Sequence, residues 1–444
     1  MPVKILDLYS GMGGLSLGFV LALDNAKIIG LDNDGYAVEV YNKNLSVFNA
    51  ESIEQDILEW KPEGNYDIII GGVPCQPYSL ANTRKKGEEH PLYPTFPRFF
   101  DVVLELKPKA FLMENVKGLT TRSRKALLET QLERAKPNYN IKYQVLNSAY
   151  YGVPQRRERL FVLGIRKDLG IVPSFPEPTH GKEEKATLAG KLYKWVTLRE
   201  AIGDLLSIPP QGLVLQHERN PAIADNEVSV LTPEQITKIK EKRDDTKRHY
   251  AKMEFPDNLD KPSRTVSCDT IEGEKRETII IPMTEHVMDD KMGTVDEHVA
   301  TSRLIYNEEQ LKRVLKFRKG KLDSLDEPSR VVKIDGRGGD KTNDAILVPI
   351  TKHVPIIEEG RYRRLTVREV LRLQSFPDWW IFPSNVSTSR KYKLVGNAVP
   401  PALAYRLALE IGKLLGIKTR VPPREGEWKL PYFHRMFADF LDTG

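Results

Sequence analysis

Residues 3–14 read Val3-Lys4-Ile5-Leu6-Asp7-Leu8-Tyr9-Ser10-Gly11-Met12-Gly13-Gly14, and this stretch decides the fold. A short apolar run bounded by turn signals reads as a buried strand, and the glycines behind it make a turn that leads into a helix. The same rhythm continues outward. Ile28–Leu31, Ile68–Ile70, Phe111–Met113 and Leu160–Ile165 read as further buried strands. Helical stretches such as Tyr36–Tyr41 and Phe99–Leu106 lie between them, the second stopped before Pro108. Strand and helix signals that alternate in this way predict a doubly wound α/β fold with a parallel sheet. Such sheets bind ligands beyond the carboxyl ends of their strands, so the loops after these runs are where chemistry is expected.

The chain of 444 residues suits one large domain plus a second module, and with 40% apolar residues it can bury a sizeable core. Its net charge of +6 is compatible with a polyanionic partner, a property many other proteins share. Two cysteines, Cys75 and Cys268, exclude a disulfide scaffold and a thiolate zinc site, so no metal and a reducing compartment are expected. The N-terminus runs straight into the first strand, with no basic-then-apolar leader, and no apolar run reaches the roughly 20 residues that span a bilayer. A soluble cytoplasmic protein without a membrane partner is the expectation.

After about Arg166 the rhythm breaks. Pro173, Pro176, Pro178, Pro209, Pro210 and Pro221 punctuate the chain, and a helical stretch from Pro233 to Lys252 is rich in Lys and Arg. That stretch reads equally as a solvated face or as a phosphate-contacting one. Leu259-Asp260-Lys261-Pro262-Ser263-Arg264-Thr265-Val266 recurs as Leu325-Asp326-Glu327-Pro328-Ser329-Arg330-Val331-Val332. At nearly the same offset, Ile281-Pro282-Met283-Thr284-Glu285-His286-Val287 returns as Val348-Pro349-Ile350-Thr351-Lys352-His353-Val354. Two matches in one offset predict a duplicated supersecondary unit, too few copies for a solenoid. Regular structure then resumes. Thr366 and Glu369 have capping-box spacing ahead of an apolar face, and Pro400-Pro401 opens a helix with a stripe of Leu403, Leu407, Ile411 and Leu414 before Gly416. The tail from Lys418 onward is expected to pack on the body.

Several stretches carry chemistry. Gly11, Gly13 and Gly14 let a ligand approach a helix N-terminus, and Asp32 ends the second strand at the spacing of an acid that binds ribose hydroxyls. A plain tight turn explains the glycines alone; the spaced acid favours an adenosine-containing cofactor. Gly71-Gly72-Val73-Pro74-Cys75-Gln76-Pro77-Tyr78-Ser79 follows the strand at 66–70. A lone cysteine is as often buried and inert, but the Gly/Pro frame at a strand end favours a nucleophile that acts as thiolate. Glu114-Asn115-Val116 puts a carboxyl group near the same edge, where a dry pocket would keep it protonated. Gln155-Arg156-Arg157-Glu158-Arg159 precedes another strand and reads either as guanidinium forks for carbonyl or phosphate oxygens or as a surface ion-pair run.

Taken in order, Asp7–Phe19, Gly71–Ser79, Glu114–Val116, Gln155–Arg159, Arg364–Asp378 and Val395–Ala404 resemble the blocks of DNA cytosine-5 methyltransferases of the prokaryotic restriction-modification type. The resemblance covers the first 165 residues or so and returns from about Arg364 to Ala404. It implies a Rossmann-like domain that uses S-adenosylmethionine (AdoMet), with a smaller mixed target-recognition domain. The division expected is 1–165 catalytic, 166–385 target recognition with the duplication, and 386–444 returning to the catalytic domain.

By that resemblance Tyr9 stacks on the adenine, Gly11, Gly13 and Gly14 line the methionine end, Asp32 holds the ribose, and Asp56 and Ile57 border the adenine. Asp7, Asn33, Pro74, Asn397 and Ala398 complete the implied cofactor site, Asn33 standing where relatives often carry a bulkier side chain. Cys75 is the implied nucleophile toward carbon 6, Glu114 the neutral acid at ring nitrogen 3, and Arg159, supported by Arg157, the contact to oxygen 2. Gln76, Ser79, Arg264 and Arg330 are the implied DNA contacts. The stretch after Ser79 departs from the family pattern, with Glu88-Glu89-His90-Pro91 in place of an Asp-x-Arg segment. Double-stranded DNA, with the target cytosine flipped out, is the implied substrate. A cognate restriction endonuclease, a monomeric state and association with the nucleoid follow as expectations. The alternative is the tRNA cytosine-5 methyltransferase branch on the same scaffold. A nicotinamide oxidoreductase would leave Cys75, Glu114 and Arg159 unexplained, and intact Cys75 and Glu114 argue against an inactive DNA-binding protein.

Overall fold

The computed structural model describes residues 2–74, 90–121, 124–187, 190–203, 205, 263–264, 281–282, 362–363 and 365–420. The first strand, β1 (Val3–Leu8), leads into helix α1 (Gly14–Ala22), and β2 (Ala26–Asp32), α2 (Gly35–Leu45) and β3 (Ala50–Glu54) follow. Then come β4 (Ile68–Gly72), α3 (Thr95–Leu106), β5 (Ala110–Val116), α4 (Lys125–Ala135), β6 (Tyr139–Asn147), β7 (Gln155–Arg156) and β8 (Glu158–Arg166). Seven of these strands form one sheet in the order β3-β2-β1-β4-β5-β8-β6.

The strands from β3 to β5 are mutually parallel. Strand β8 is antiparallel to both β5 and β6, so the sheet is mixed where the sequence suggested parallel strands throughout. The reason is the connection. Between β6 and β8 the chain has only a single 3-10 turn (Ser148–Tyr151) and the two-residue β7, with no crossover helix to return it to the same end of the sheet.

Along each strand the apolar residues alternate between two cores. Ile5, Ile28, Ile68, Ile70, Leu112, Leu163 and Ile165 face one, while Leu6, Leu8, Leu31, Ile69, Phe111, Met113 and Val162 face the other. The second core is covered by α3 and α4. Its centre is an edge-to-face group of Phe96, Phe99, Phe100, Phe111 and Tyr139. The first core is covered by α1, α2 and the C-terminal helices. These are α6 (Val367–Leu373), α7 (Thr388–Asn397) and α8 (Pro401–Leu415), which follow the small strands β9 (His180–Gly181), β10 (Lys185–Thr187) and β11 (Gly190–Lys194) and the short helix α5 (Leu198–Ile202).

Every residue of α1 is buried, because α8 lies directly on it. At Gly18 a Cβ would sit 2.4 Å from the Cβ of Ala404, so the approach of the two helices requires glycine there. The capping box at Thr366 and Glu369 forms as its spacing predicts, and α8 starts at Pro401 and stops at Gly416 in the left-handed conformation. Residues 417–420 then run back beside α1, with Arg420 N–H donating to Ala22 C=O at 2.9 Å and Asp24 N–H to Lys418 C=O at 3.0 Å.

The flanks of the 166–385 stretch share the sheet's core. Phe175, Val196, Leu198 and Ile202 on one side, and Leu365, Val370, Leu371, Phe376 and Trp380 on the other, pack into the same cluster as Ile5 and Phe19. Arg372 ties the two flanks together, donating to Asp378 through Nε and Nη2 and to Ala201 C=O at 3.3 Å. Strand β12 (Ser263–Arg264) pairs with β7, and β13 (Ile281–Pro282) with β14 (Tyr362–Arg363), so Ser263 and Arg264 run beside Gln155 and Arg156. The second Pro-Ser-Arg unit, the basic stretch at 233–252 and Cys268 lie outside the described residues. No helix among the described residues is long and apolar enough to cross a membrane.

Candidate active site

Strand order reverses between β1 and β4, whose carboxyl ends therefore open a crevice at the edge of the sheet. Four groups of residues meet there.

The first is the glycine turn. Tyr9, Gly11 and Gly13 have positive φ angles of 59°, 52° and 93°, and Gly13 caps α1. Among the described residues no atom lies within 4 Å of where a Cβ on Gly11 would stand, while a Cβ on Gly14 would fall 2.2 Å from Val399 O. Asp32, at the end of β2, accepts the Gly11 N–H at 2.8 Å on one oxygen and the Asp34 N–H at 2.9 Å on the other. Each oxygen keeps a further lone pair for a ligand hydroxyl. Burial raises the Asp32 carboxyl above its ordinary range against those two N–H groups. Beneath the turn Asp7 is buried, accepting from Ser16 Oγ at 2.7 Å, and Tyr41 Oη donates to that Ser16 oxygen at 2.8 Å. Burial pushes the Asp7 carboxyl up to about 7.

The second is an apolar wall. Tyr9, Leu31, Ile57 and Val73 belong to one cluster with α3, and Asp56 turns the chain by accepting the Leu58 N–H at 2.9 Å. Asn33 is exposed beside it.

The third is the exit of β4. Val73 N–H donates to Glu114 C=O at 3.2 Å, and the buried Asn115 side chain donates to Val73 C=O at 3.2 Å. Asn115 Oδ1 in turn accepts the Val116 N–H at 2.8 Å. The chain is thus tied to β5 on both sides of Val73, which fixes where Pro74 leaves the sheet. Cys75, Gln76 and Ser79, which follow it, lie outside the described residues.

The fourth is the pair of arginines at β7 and β8. Glu114 is 7% exposed, and Arg159 Nε lies 3.1 Å from its Oε1. In the antiparallel β5–β8 register Glu114 faces Phe161 and Val116 faces Arg159, which makes Glu114 and Arg159 diagonal neighbours. Burial raises the Glu114 carboxyl, opposed by the charges of Arg159 and then Arg157. Arg157 is buried and donates through Nη1 to Gly396 C=O at 3.0 Å. That bond brings the end of α7, with Asn397 and Ala398, to the crevice, and Val399 then closes on Gly14. Arg264 pairs in register with Arg156 through β12, and Arg330 lies outside the described residues.

The crevice therefore gathers Asp7, Tyr9, the glycines, Asp32, Asn33, Asp56, Ile57, Pro74, Glu114, Arg157, Arg159, Asn397 and Ala398 from segments far apart in the chain. Two side chains of evident structural weight were not singled out from sequence. Asn115 stands next to Glu114 in the quoted motif, and its side chain, fully buried at a strand end, needed the Val73 carbonyl to be located. Arg98 on α3 carries no sequence signal at all.

The family model described as C-5 cytosine-specific DNA methylase matches residues 3–413. Among curated proteins, the type II methyltransferase M.MthTI of Methanothermobacter thermautotrophicus is 31% identical, with 93% of this chain and 98% of that protein covered. The type II methyltransferase M.FnuDI of Fusobacterium nucleatum is 30% identical over 94% and 97% of the two chains. Among solved structures, a prophage-encoded E. coli protein described as a DNA modification methyltransferase superposes with a TM-score of 0.50 at 19% identity, covering 93% of this chain and 99% of that one. At that identity the likeness speaks for the fold alone.

Proposed function

This chain belongs to the C-5 cytosine-specific DNA methylase family and is a DNA (cytosine-5)-methyltransferase, and from that premise we propose how its crevice works. The cofactor is AdoMet. The donor set suits it: an apolar wall of Tyr9 and Ile57 for the adenine, the Asp32 carboxylate for ribose hydroxyls, and the Gly11 side of the glycine turn for the methionine end. Bound there, AdoMet supplies an electrophilic methyl group on a sulfonium.

Carbon 5 of cytosine is too electron-poor to attack that methyl unaided. Cys75, as thiolate, adds to carbon 6 and supplies the electron pair. Glu114, whose carboxyl burial raises above its ordinary range, donates a proton to ring nitrogen 3 and so stabilises the enamine as it forms. Arg159 orients Glu114 and contacts oxygen 2, while Arg157 fixes the Asn397 segment against the cofactor turn. After transfer a base removes the carbon 5 proton and the thiol leaves. None of these groups can reach carbon 6 inside a duplex, so the cytosine is flipped into the crevice.

The observation that carries this reading is the buried Glu114–Arg159 pair beside the doubly tethered Val73, one residue from Pro74 and two from Cys75. The part of the 166–385 stretch between the flanks packed on the core is assigned to target recognition. There Arg264 and Arg330, with Gln76 and Ser79 of the Cys75 segment, contact DNA. A monomer paired with a cognate restriction endonuclease fits the type II relatives. Incubation with methyl-labelled AdoMet and either duplex DNA or tRNA, followed by bisulfite mapping, tests the proposal. Label at one cytosine context in duplex DNA is expected; label in tRNA alone would overturn it.

A further inference from the structure

Three hydrogen bonds converge on the first turn of α3. Tyr9 Oη donates to Thr95 C=O at 2.8 Å. Arg98 Nε donates to Ile57 C=O at 3.0 Å, and Arg98 Nη2 donates to Trp60 C=O. Tyr9 leaves the end of β1 and Ile57 follows β3, so these two residues of the apolar wall come from different loops. Both are fastened to one helical turn.

That turn is a firm support. Phe100 packs edge to face with Phe96 and Phe99, both Phe99 and Phe100 pack in the same way on Phe111 of β5, and Thr95 is buried. Among the described residues Arg98 forms no ion pair, and its guanidinium is committed to the two carbonyls. A planar fork can hold two carbonyl oxygens at a fixed spacing, which a flexible ammonium cannot.

We propose that Arg98 is a positioning residue for the nucleoside end of the cofactor pocket. It holds the 57–60 turn to the helix that also holds Tyr9, and so sets the gap into which a planar base slides. This rests on the reading of that gap as the adenine site. Affinity for the base should then depend on a side chain that touches no part of the ligand, while affinity for the ribose and amino-acid portion should not.

The test uses the full chain as wild type, Arg98→Gln and Arg98→Lys, with S-adenosylhomocysteine and S-ribosylhomocysteine, which lacks the base, as competitive probes. Arg98→Gln is expected to weaken S-adenosylhomocysteine about tenfold, the size of one charge-assisted hydrogen bond. It should raise the KM for AdoMet in parallel, with a smaller change in kcat, and shift S-ribosylhomocysteine less than twofold. Arg98→Lys, which keeps one donor, should fall between and serves if the Gln variant does not fold. An equal loss for both probes, or no loss for either, would overturn the proposal. Failure of the wild type to bind S-adenosylhomocysteine at all would instead sink the underlying reading of the pocket.

Discussion

Replacing Glu114 by Gln separates catalysis from stability at the centre of the site. The side chain keeps its shape and an N–H donor but can no longer transfer a proton. A lost general acid costs roughly 100- to 10,000-fold in rate, or about 3–5 kcal/mol of barrier. Stability should move differently. Burial raises the Glu114 carboxyl above its ordinary 4.5 despite Arg159 and Arg157, so the ionised form is less favourable in the folded protein than in the unfolded chain. Stability from this group is therefore full below 4.5 and is lost as pH rises through the folded pKa. Gln cannot ionise and escapes that loss. The expected result is kcat down by at least 100-fold, with thermal stability at neutral pH reduced by no more than about 1 kcal/mol, a few degrees in Tm. The fall in wild-type kcat/KM as pH rises through the Glu114 pKa should have no counterpart in the variant. Single-turnover methylation across pH, with calorimetry on the same samples, decides it. Activity within tenfold of wild type, or an activity loss matched by a large drop in Tm, would refute the role of a neutral Glu114.

Three further outcomes follow from the packing. Asn115→Ala leaves the Val73 carbonyl and the Val116 N–H without their side-chain partner, which should cost about 2–4 kcal/mol and lower kcat more than the KM for AdoMet; denaturant melts and steady-state kinetics check both. Gly18→Ala puts a methyl 2.4 Å from Ala404 Cβ, so α1 and α8 must part, at about 1–3 kcal/mol measured by urea unfolding. His180 is buried with its pKa depressed to about 4 by burial and then by Arg406, so the stability it confers is full above its ordinary 6.5 and is lost as pH falls through about 4. Between pH 7.5 and pH 5 it should account for about 2 kcal/mol of acid destabilisation, and His180→Gln should flatten that part of the stability–pH curve.

The apolar runs around Ile5, Ile28, Ile68 and Phe111 were legible as strands because each is buried on both faces and bounded by turns. Ala50–Glu54 and Tyr139–Asn147 were not, since they are edge strands whose exposed residues break the apolar run. The antiparallel insertion of β8 depends on a connection too short for a crossover, which apolar periodicity does not report. At the site, Glu114, Arg159 and the glycine turn announce themselves because unusual residue types stand at strand ends. The anchoring of Arg157 on Gly396 and of Arg98 on Ile57 and Trp60 is invisible in sequence, because the acceptors are backbone carbonyls that any residue could supply. Asp32 and Asn397 carry chemistry that alone fits many ligands, and only their place among the resembling blocks points to a cofactor.

Methylation requires a bond between Cys75 and carbon 6 of the target base. A duplex carrying 5-fluorocytosine at the position mapped by bisulfite should capture the protein in the presence of AdoMet, because fluorine cannot leave carbon 5 as the proton does. Digestion and mass spectrometry of the captured species should find the methylated, fluorinated nucleotide on the Cys75 peptide, and Cys75→Ser should yield none. Capture through another residue, or steady methylation of ordinary duplex by the Ser variant, would contradict it.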